Sequence, residues 1–140
     1  MSGYVVDASV AIKLFINDEL SERSNKLFGL LAQDSEVNFY VPDHFFIECT
    51  NVLWKYVRWG GMSLEDAQAN LADLAQLRLT VMTTASLMLG SLEWAYRYKI
   101  SAYDASYLFL ANDVGVPFVT VDSKLVRMWP GAVWLGDLSY

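Results

Sequence analysis

The stretch YDASYLFLANDVGVPFVTVD, residues 103–122, decides the fold of this chain. After Asp104 its apolar residues recur at helical spacing as far as Gly115, a residue suited to ending a helix. Residues 117–121 then form the most strand-like segment of the sequence, which ends at Asp122. A helix that leads into a continuous apolar strand is typical of a parallel sheet covered on both faces. Because such sheets bind ligands beyond the carboxyl ends of their strands, Asp122 marks a candidate site.

The rest of the chain repeats this alternation of strands and helices. Further strands are predicted at residues 3–7, 37–41, 79–83 and 133–135, and further helices at residues 9–17, 21–33, 44–59, 64–74, 86–98 and 123–128. Ser9, Asp43 and Ser63 are the predicted N-caps of three of these helices. Nothing in the sequence divides it, so we expect one α/β domain over residues 1–140.

The composition is that of a folded domain. With 140 residues, 54% of them hydrophobic, the chain is large enough for a core and too short for two domains. Its apolar runs break before the ~20 residues of a membrane span, and its N-terminus has no export signal, so we expect a soluble, cytoplasmic protein. The single cysteine, Cys49, excludes an internal disulfide and is expected to be buried. A net charge of −6 argues against a broad basic surface for duplex DNA, although ten Lys and Arg remain to line a groove.

Four acidic residues interrupt stretches that otherwise belong to the core: Asp7, Glu48, Asp104 and Asp122. Asp7 and Asp122 end strands, whereas Glu48 and Asp104 share helical faces with apolar residues. Taken singly, the two strand-end acids are ordinary turn residues and Asp104 is an ordinary helix cap, but Glu48 has no such explanation. Four carboxylates against core surface are costly unless they share a partner, and the natural partner is a divalent cation.

The chemistry of these ligands predicts both the ion and the reaction. Carboxylate oxygens without thiolate or imidazole select hard ions, Mg²⁺ or Mn²⁺, rather than zinc. Such ions engage phosphate oxygens readily and make water a better nucleophile, so the reaction that follows is hydrolysis of a phosphodiester. No protein nucleophile is needed.

Four segments in this order resemble a known family: VVDAS (5–9), PDHFFIECTNVLW (42–54), SAYDASYLFLA (101–111) and PFVTVDSKL (117–125). The chain resembles the PIN-domain nucleases over essentially its whole length, and especially the small VapC-like toxins of toxin–antitoxin pairs. The resemblance implies a three-layer α/β/α fold with a central parallel sheet in the strand order 3-2-1-4-5. It also implies an acidic pocket for one or two Mg²⁺ or Mn²⁺ ions. Carried over by position, Asp7, Glu48, Asp104 and Asp122 match the metal-site acids, of which the first and third tend to be direct ligands.

Residues near the four acids are predicted to support the pocket. Ser9 and Thr120 match small hydroxyl positions that line the family's pocket, and Asn51 lies on the same helical side as Glu48. The alternatives for the hydroxyls are an ordinary helix cap and an ordinary strand residue. His44 is interpreted as a helix-start residue rather than as a catalytic base, because the metal supplies the hydroxide.

Basic and aromatic residues are the candidates for contact with RNA. The basic residues on helices that flank the predicted site are Lys13, Lys55, Arg58, Lys124 and Arg127. Unpaired bases stack on aromatic rings, and Tyr56, Trp59 and Tyr103 are candidates for this, with core packing or a dimer contact as the alternative. Asp18 and Asp43 are expected to be solvated surface residues.

We therefore predict a metal-dependent ribonuclease, the toxin of a toxin–antitoxin pair, which a small antitoxin protein would inhibit and which could form a homodimer. A receiver domain is disfavoured because the third strand has no acidic phosphoacceptor, and an aspartyl phosphatase because Ser9 stands where a second acid would be required. The remaining alternative is a PIN-like protein-binding or stand-alone RNA-processing module with little toxin activity.

Overall fold

The structure is a computed structural model that describes residues 2–140, and in this range five strands alternate with seven helices. The strands are β1 (Ser2–Val6), β2 (Val37–Pro42), β3 (Leu79–Met82), β4 (Phe118–Thr120) and β5 (Ala132–Trp134). The helices are α1 (Ala8–Ala11), α2 (Ser21–Gln33), α3 (Phe45–Trp59), α4 (Leu64–Ala75), α5 (Thr84–Tyr98), α6 (Ala102–Val114) and α7 (Ser123–Met128). Short 3-10 turns at Ile12–Leu14 and Leu135–Asp137 follow α1 and β5.

The five strands form one parallel sheet in the order β3-β2-β1-β4-β5. This confirms the predicted order 3-2-1-4-5. β1 lies at the centre, with β2 on one side and β4 on the other, so the strand order reverses there. The cleft beyond the carboxyl ends of β1 and β4 is therefore the place where a doubly wound sheet binds its ligand.

Both faces of the sheet are covered by helices. In β2 the consecutive residues Phe39, Tyr40 and Val41 are all buried, although their side chains point to alternate faces. Helix α6 packs against β1, β2 and α5, and α2 also packs against β2. The predicted three-layer α/β/α arrangement is confirmed.

Helix α6 is buried almost all round, as its continuous apolar sequence predicts. Residues 105–108 are consecutive and buried, as are Leu110 and Ala111. The hydroxyl of Ser101 caps the first turn by accepting from the backbone N–H of Asp104 at 3.1 Å. Gly115 ends the helix with a φ of 81°, a conformation that glycine adopts without strain.

Two of the predicted helix caps are wrong. Helix α1 is capped by Asp7 rather than by Ser9, because the Asp7 carboxylate accepts from the backbone N–H of Val10. Helix α3 begins after His44 without a side-chain cap, and Asp43 instead accepts from the backbone N–H of Thr84 at 3.3 Å. The predicted cap of α4 is confirmed, since the side chain of Ser63 accepts from the N–H of Asp66.

Cys49 lies on α3 and is 1% exposed, which confirms it as a buried residue. Within residues 2–140, no helix is long and apolar enough to cross a membrane.

Candidate active site

The four predicted acids line one cleft at the carboxyl edge of the sheet. Its volume is about 380 Å³. Asp7 follows β1, Glu48 lies in the first turn of α3, Asp104 lies in the first turn of α6, and Asp122 follows β4. The remaining residues that line the cleft are Ala8, Ser9, Asn51, Val52, Lys55, Tyr107 and Val121. Residues that are far apart in the sequence thus meet where β1 and β4 end.

Strand register explains the position of Asp7. Val5 pairs with Phe118 and Val6 with Val119, so the next residues along the two strands, Asp7 and Thr120, lie side by side. The hydroxyl of Thr120 donates to Asp7 Oδ2 at 2.6 Å. The hydroxyl of Ser9 donates to Asp7 Oδ1 at 2.5 Å. The two predicted hydroxyl residues therefore hold the two oxygens of one carboxylate.

Asp7 carries the clearest electrostatic strain in the cleft. Burial raises the pKa of Asp7 to about 6, against the lowering effect of the hydrogen bonds from Ser9, Thr120 and Val10. The negative charge of Glu48 contributes a smaller part of this rise in the pKa of Asp7. A nearby cation would offset both effects, because it stabilises the ionised form.

Asp104 faces two other carboxylates across the cleft. Burial raises its pKa, and the charges of Asp122 and Glu48 raise it further. The positive charge of Lys124 and the hydrogen bond with Ser101 act in the opposite direction. Asp122 itself caps α7, where Oδ1 accepts from the backbone N–H groups of Lys124 and Leu125.

Glu48 is held by two side chains that the sequence analysis did not assign to the site. The hydroxyl of Tyr107 lies 2.5 Å from Glu48 Oε1, and His44 Nδ1 lies 2.9 Å from the same oxygen. The contact with His44 follows from helical spacing that the sequence already contains, whereas the contact with Tyr107 depends on the packing of α6 beside α3. His44 is one turn before Glu48, and Tyr107 is one turn after Asp104 on α6.

The other predicted residues divide between the cleft and the surface beyond it. Asn51 and Lys55 line the cleft, and Lys124 is close enough to act on Asp104. Lys13 instead pairs with Asp18 at 3.0 Å. The Arg58 guanidinium lies 4.2 Å from the ring centre of Trp59, and Arg127 lies exposed in the last turn of α7. Of the aromatic candidates, Trp59 and Tyr103 are exposed and Tyr56 is half-buried.

The side chains of the cleft fit a hard divalent ion that keeps much of its water. They supply carboxylate, hydroxyl and amide oxygens, which Mg²⁺ and Mn²⁺ prefer. Among residues 2–140, however, no three His, Cys, Asp or Glu side chains are arranged so that they could hold a metal ion by themselves. Mg²⁺ is usually bound through one or two carboxylates together with waters and substrate phosphates, so an open cleft of this kind suits it.

Fold and site together define a class of protein: a doubly wound α/β protein with an acidic, oxygen-rich cleft at the point where the strand order reverses. Within that class, the chain belongs to the PIN-domain family, which residues 4–128 match.

Named relatives cover nearly the whole chain. The chain is 30% identical over 132 residues to ribonuclease VapC3 of Mycobacterium tuberculosis, covering 94% of this chain and 91% of the relative. It is 29% identical over 131 residues to ribonuclease VapC3 of Pyrobaculum aerophilum, covering 92% and 96%. The predicted resemblance to VapC-like proteins is confirmed.

Solved structures show the same fold. PAE2754 from Pyrobaculum aerophilum superposes with a TM-score of 0.74 at 22% identity, covering 96% of this chain and 90% of that one. The VapBC2 structure from Rickettsia felis, solved bound to a DNA fragment from its promoter, gives 0.67 at 16% identity, covering 94% and 96%. VapC20 from Mycobacterium tuberculosis, described as a toxin that cleaves the sarcin–ricin loop, gives 0.63 at 18% identity, covering 90% and 96%.

Proposed function

We propose that this protein is a metal-dependent endoribonuclease and the toxin of a VapBC-type toxin–antitoxin pair. The observation that carries the proposal is the meeting of Asp7, Glu48, Asp104 and Asp122 in one cleft of a PIN fold. The ribonuclease activity named for relatives over 94% of the chain supports it. We propose Mg²⁺ or Mn²⁺ as the cofactor and the cytoplasm as the place of action.

Asp7 and Asp104 would be direct ligands of the ion, and Glu48 and Asp122 would act through its bound water. The chemistry that a divalent ion supplies at such a site is Lewis acidity, which makes water more nucleophilic and neutralises charge on a phosphodiester. Ser9 and Thr120 orient the Asp7 carboxylate through the bonds described above. Asn51 extends the polar wall of the cleft beside Glu48.

RNA must approach a cleft lined with negative charge, so nearby cations are required. Lys55 lines the cleft and Lys124 acts on Asp104, which makes these two the preferred phosphate contacts among the five basic candidates. The ring of Tyr103, which is 65% exposed at the start of α6, is the preferred stacking surface for an unpaired base.

The expected protein partner is a small antitoxin. The VapBC2 structure from Rickettsia felis and a toxin–antitoxin complex from Klebsiella pneumoniae, which superposes with a TM-score of 0.65, share this fold. Exposed apolar residues on α3 and α5, including Ile47, Trp54, Met88 and Leu92, offer surface for an antitoxin or for a second copy of the chain.

The experiment compares cleavage of mixed single-stranded RNA by wild type, Asp104→Asn and Asp113→Asn, each with Mg²⁺, with Mn²⁺ and with EDTA. Asp113→Asn is the matched control, because Asp113 lies exposed at the other end of the same helix. We expect metal-dependent cleavage by wild type and by the control. Asp104→Asn should lose more than the roughly 100-fold that removal of a ligand's supporting residue costs.

Three results would contradict the proposal in different ways. Cleavage in EDTA would exclude the metal. Unchanged cleavage by Asp104→Asn would exclude the site. If the wild type binds Mn²⁺ but cuts no RNA in the pool or in total cellular RNA, the alternative of a PIN-fold binding module would be favoured.

A further inference from the structure

The two hydrogen bonds to Glu48 converge on one oxygen. Tyr107 and His44 both contact Oε1, at 2.5 and 2.9 Å. Neither contact involves Oε2. The carboxylate that closes one wall of the cleft is therefore held by one oxygen, and within residues 2–140 the other receives no hydrogen bond from the protein.

The proton positions in this group follow from what each atom can donate. A carboxylate oxygen only accepts, so the phenol of Tyr107 donates to Oε1. The same requirement places a proton on His44 Nδ1, because that nitrogen also faces Oε1. The second ring nitrogen, Nε2, lies 2.8 Å from the hydroxyl of Ser106, which in turn lies 2.6 Å from the carbonyl oxygen of Tyr103.

The imidazole ring itself has little freedom. Its ring centre lies 5.7 Å from that of Tyr103 and 5.3 Å from that of Tyr107, with both tyrosine rings nearly perpendicular to it. The side chain of His44 is 13% exposed, and Ser106 is 4% exposed. Tyr107 is fixed in turn by stacking on Phe118, with ring centres 5.6 Å apart.

We propose that His44 and Tyr107 are positioning residues that lock Glu48 Oε1 and leave Oε2 as the oxygen that serves the metal ion or its water. This inference rests on the proposed function and adds two residues to it. Glu48 and His44 lie at the start of α3. Tyr107, which bonds Glu48, and Ser106, which contacts His44, lie on α6, the helix that carries Asp104. The lock therefore sets the position of one acid relative to another.

A purely structural role is the competing explanation, since a bond between two helices also stabilises the fold. Substitution of His44 by asparagine or by glutamine, the two amino acids with amide side chains, distinguishes these explanations. Asparagine places its amide nitrogen near the position of imidazole Nδ1, and glutamine places it near Nε2. His44→Asn thus keeps a donor for Glu48 and loses the bond to Ser106, whereas His44→Gln keeps the bond to Ser106 and loses the donor for Glu48.

The test measures three quantities for each variant: the Kd for Mn²⁺ by electron paramagnetic resonance, kcat and KM on RNA, and the melting temperature in EDTA. We expect His44→Gln to bind Mn²⁺ roughly 10-fold more weakly and to cut correspondingly more slowly, with KM unchanged. His44→Asn should stay closer to wild type in both readouts. Tyr107→Phe, which keeps the stacking on Phe118, should resemble His44→Gln. Tyr98→Phe on α5 is the matched control and should match wild type.

The outcomes distinguish an error in the positioning role of His44 and Tyr107 from an error in the proposed ribonuclease function. If wild type binds Mn²⁺ and cuts RNA while the Asn and Gln variants bind and cut alike, the lock is overturned and the nuclease stands. Losses that follow the melting temperature alone, including in the control, also overturn the lock. If wild type neither binds Mn²⁺ nor cuts RNA, the proposed function fails and the lock fails with it.

Discussion

At the scale of single residues, Asp7 combines a structural and a chemical role. Its Oδ1 caps α1 and accepts from Ser9, and its Oδ2 accepts from Thr120. These bonds favour the ionised form, yet burial outweighs them and raises the pKa of Asp7 to about 6. Asp7 is thus held in one orientation at a cost in stability that a bound cation would remove.

This cost predicts the pH dependence of stability in the metal-free protein. The pKa of Asp7 is about 6 in the folded chain and 3.8 as the ordinary value, so between these values the folded state binds more protons than the unfolded state. Stability from this group is therefore full below pH 3.8 and falls as pH rises through 6. Between pH 5 and pH 8 we expect a loss of about 1 kcal/mol, which Asp7→Asn should not show.

Urea unfolding of both proteins at pH 5 and pH 8 in EDTA measures this difference. The contributions of the other cleft acids to the free energy of unfolding cancel when wild type and Asp7→Asn are compared at the same pH. Asparagine is itself a good N-cap, and its amide retains a donor for the Thr120 oxygen, so the fold should be kept. A variant advantage that fails to grow from pH 5 to pH 8 would show that Asp7 does not hold its proton.

At the scale of elements, the two helices that lead into the site end in the same unusual backbone conformation. Gly115 ends α6 with a φ of 81°, and Lys99 ends α5 with a φ of 57°. Glycine adopts this region readily, whereas a residue with a Cβ is strained there. Helix α6 therefore ends in glycine, which suits this conformation, whereas α5 ends in Lys99, which does not.

The two ends form a matched pair for mutation. Gly115→Ala should lower the free energy of unfolding by about 1 kcal/mol, and Lys99→Gly should raise it by up to about 1 kcal/mol. Nothing lies within 4 Å of a Cβ added at Gly115, so the cost there is conformational rather than steric. Denaturant unfolding of the two variants measures both effects, and changes of the same sign would contradict this explanation.

The elements also show which features of the fold and of the site can be predicted from the sequence and which cannot. The helix that ends at Gly115 and the grouping of the four acids follow from apolar periodicity and from the positions of acids at strand ends. The strand order is implied by the resemblance to the PIN-domain family and not by these patterns. The sequence does not distinguish Asp7 from Ser9 as the cap of α1, because both are good capping residues. The hydrogen bond from Thr120 to Asp7 Oδ2 leaves Oδ1 to face Val10. The hydrogen bonds that hold Glu48 depend on how α3 lies beside α6, and no local sequence pattern predicts this arrangement.

At the scale of the whole molecule, an ion that binds only the folded chain must stabilise it. At 100 times its Kd, Mn²⁺ should add about 2.7 kcal/mol to the free energy of unfolding of wild type. Asp122→Asn should lose much of this gain while retaining the cap of α7, because asparagine caps helices as well as aspartate does. Thermal unfolding with and without Mn²⁺ measures the gain, and Asp113→Asn again serves as the control.

Equal stabilisation of all three proteins by Mn²⁺ would place the ion outside the cleft. Stabilisation of none of them would show that the folded chain does not bind Mn²⁺ at the concentration used. In the first case the activity measurements with Asp104→Asn would decide whether the cleft acids act in another way.

The bond between Thr120 and Asp7 joins residues 113 positions apart, and Asp122 comes later still. A ribosome releases the N-terminal end first, at roughly 5–20 residues per second, and β1 must wait for β4 before the edge of the sheet that carries the acids exists. A nascent chain that still lacks β4 has no cleft. In the proposed ribonuclease, cleavage therefore has to wait until the chain has been synthesised through at least Asp122 and has folded.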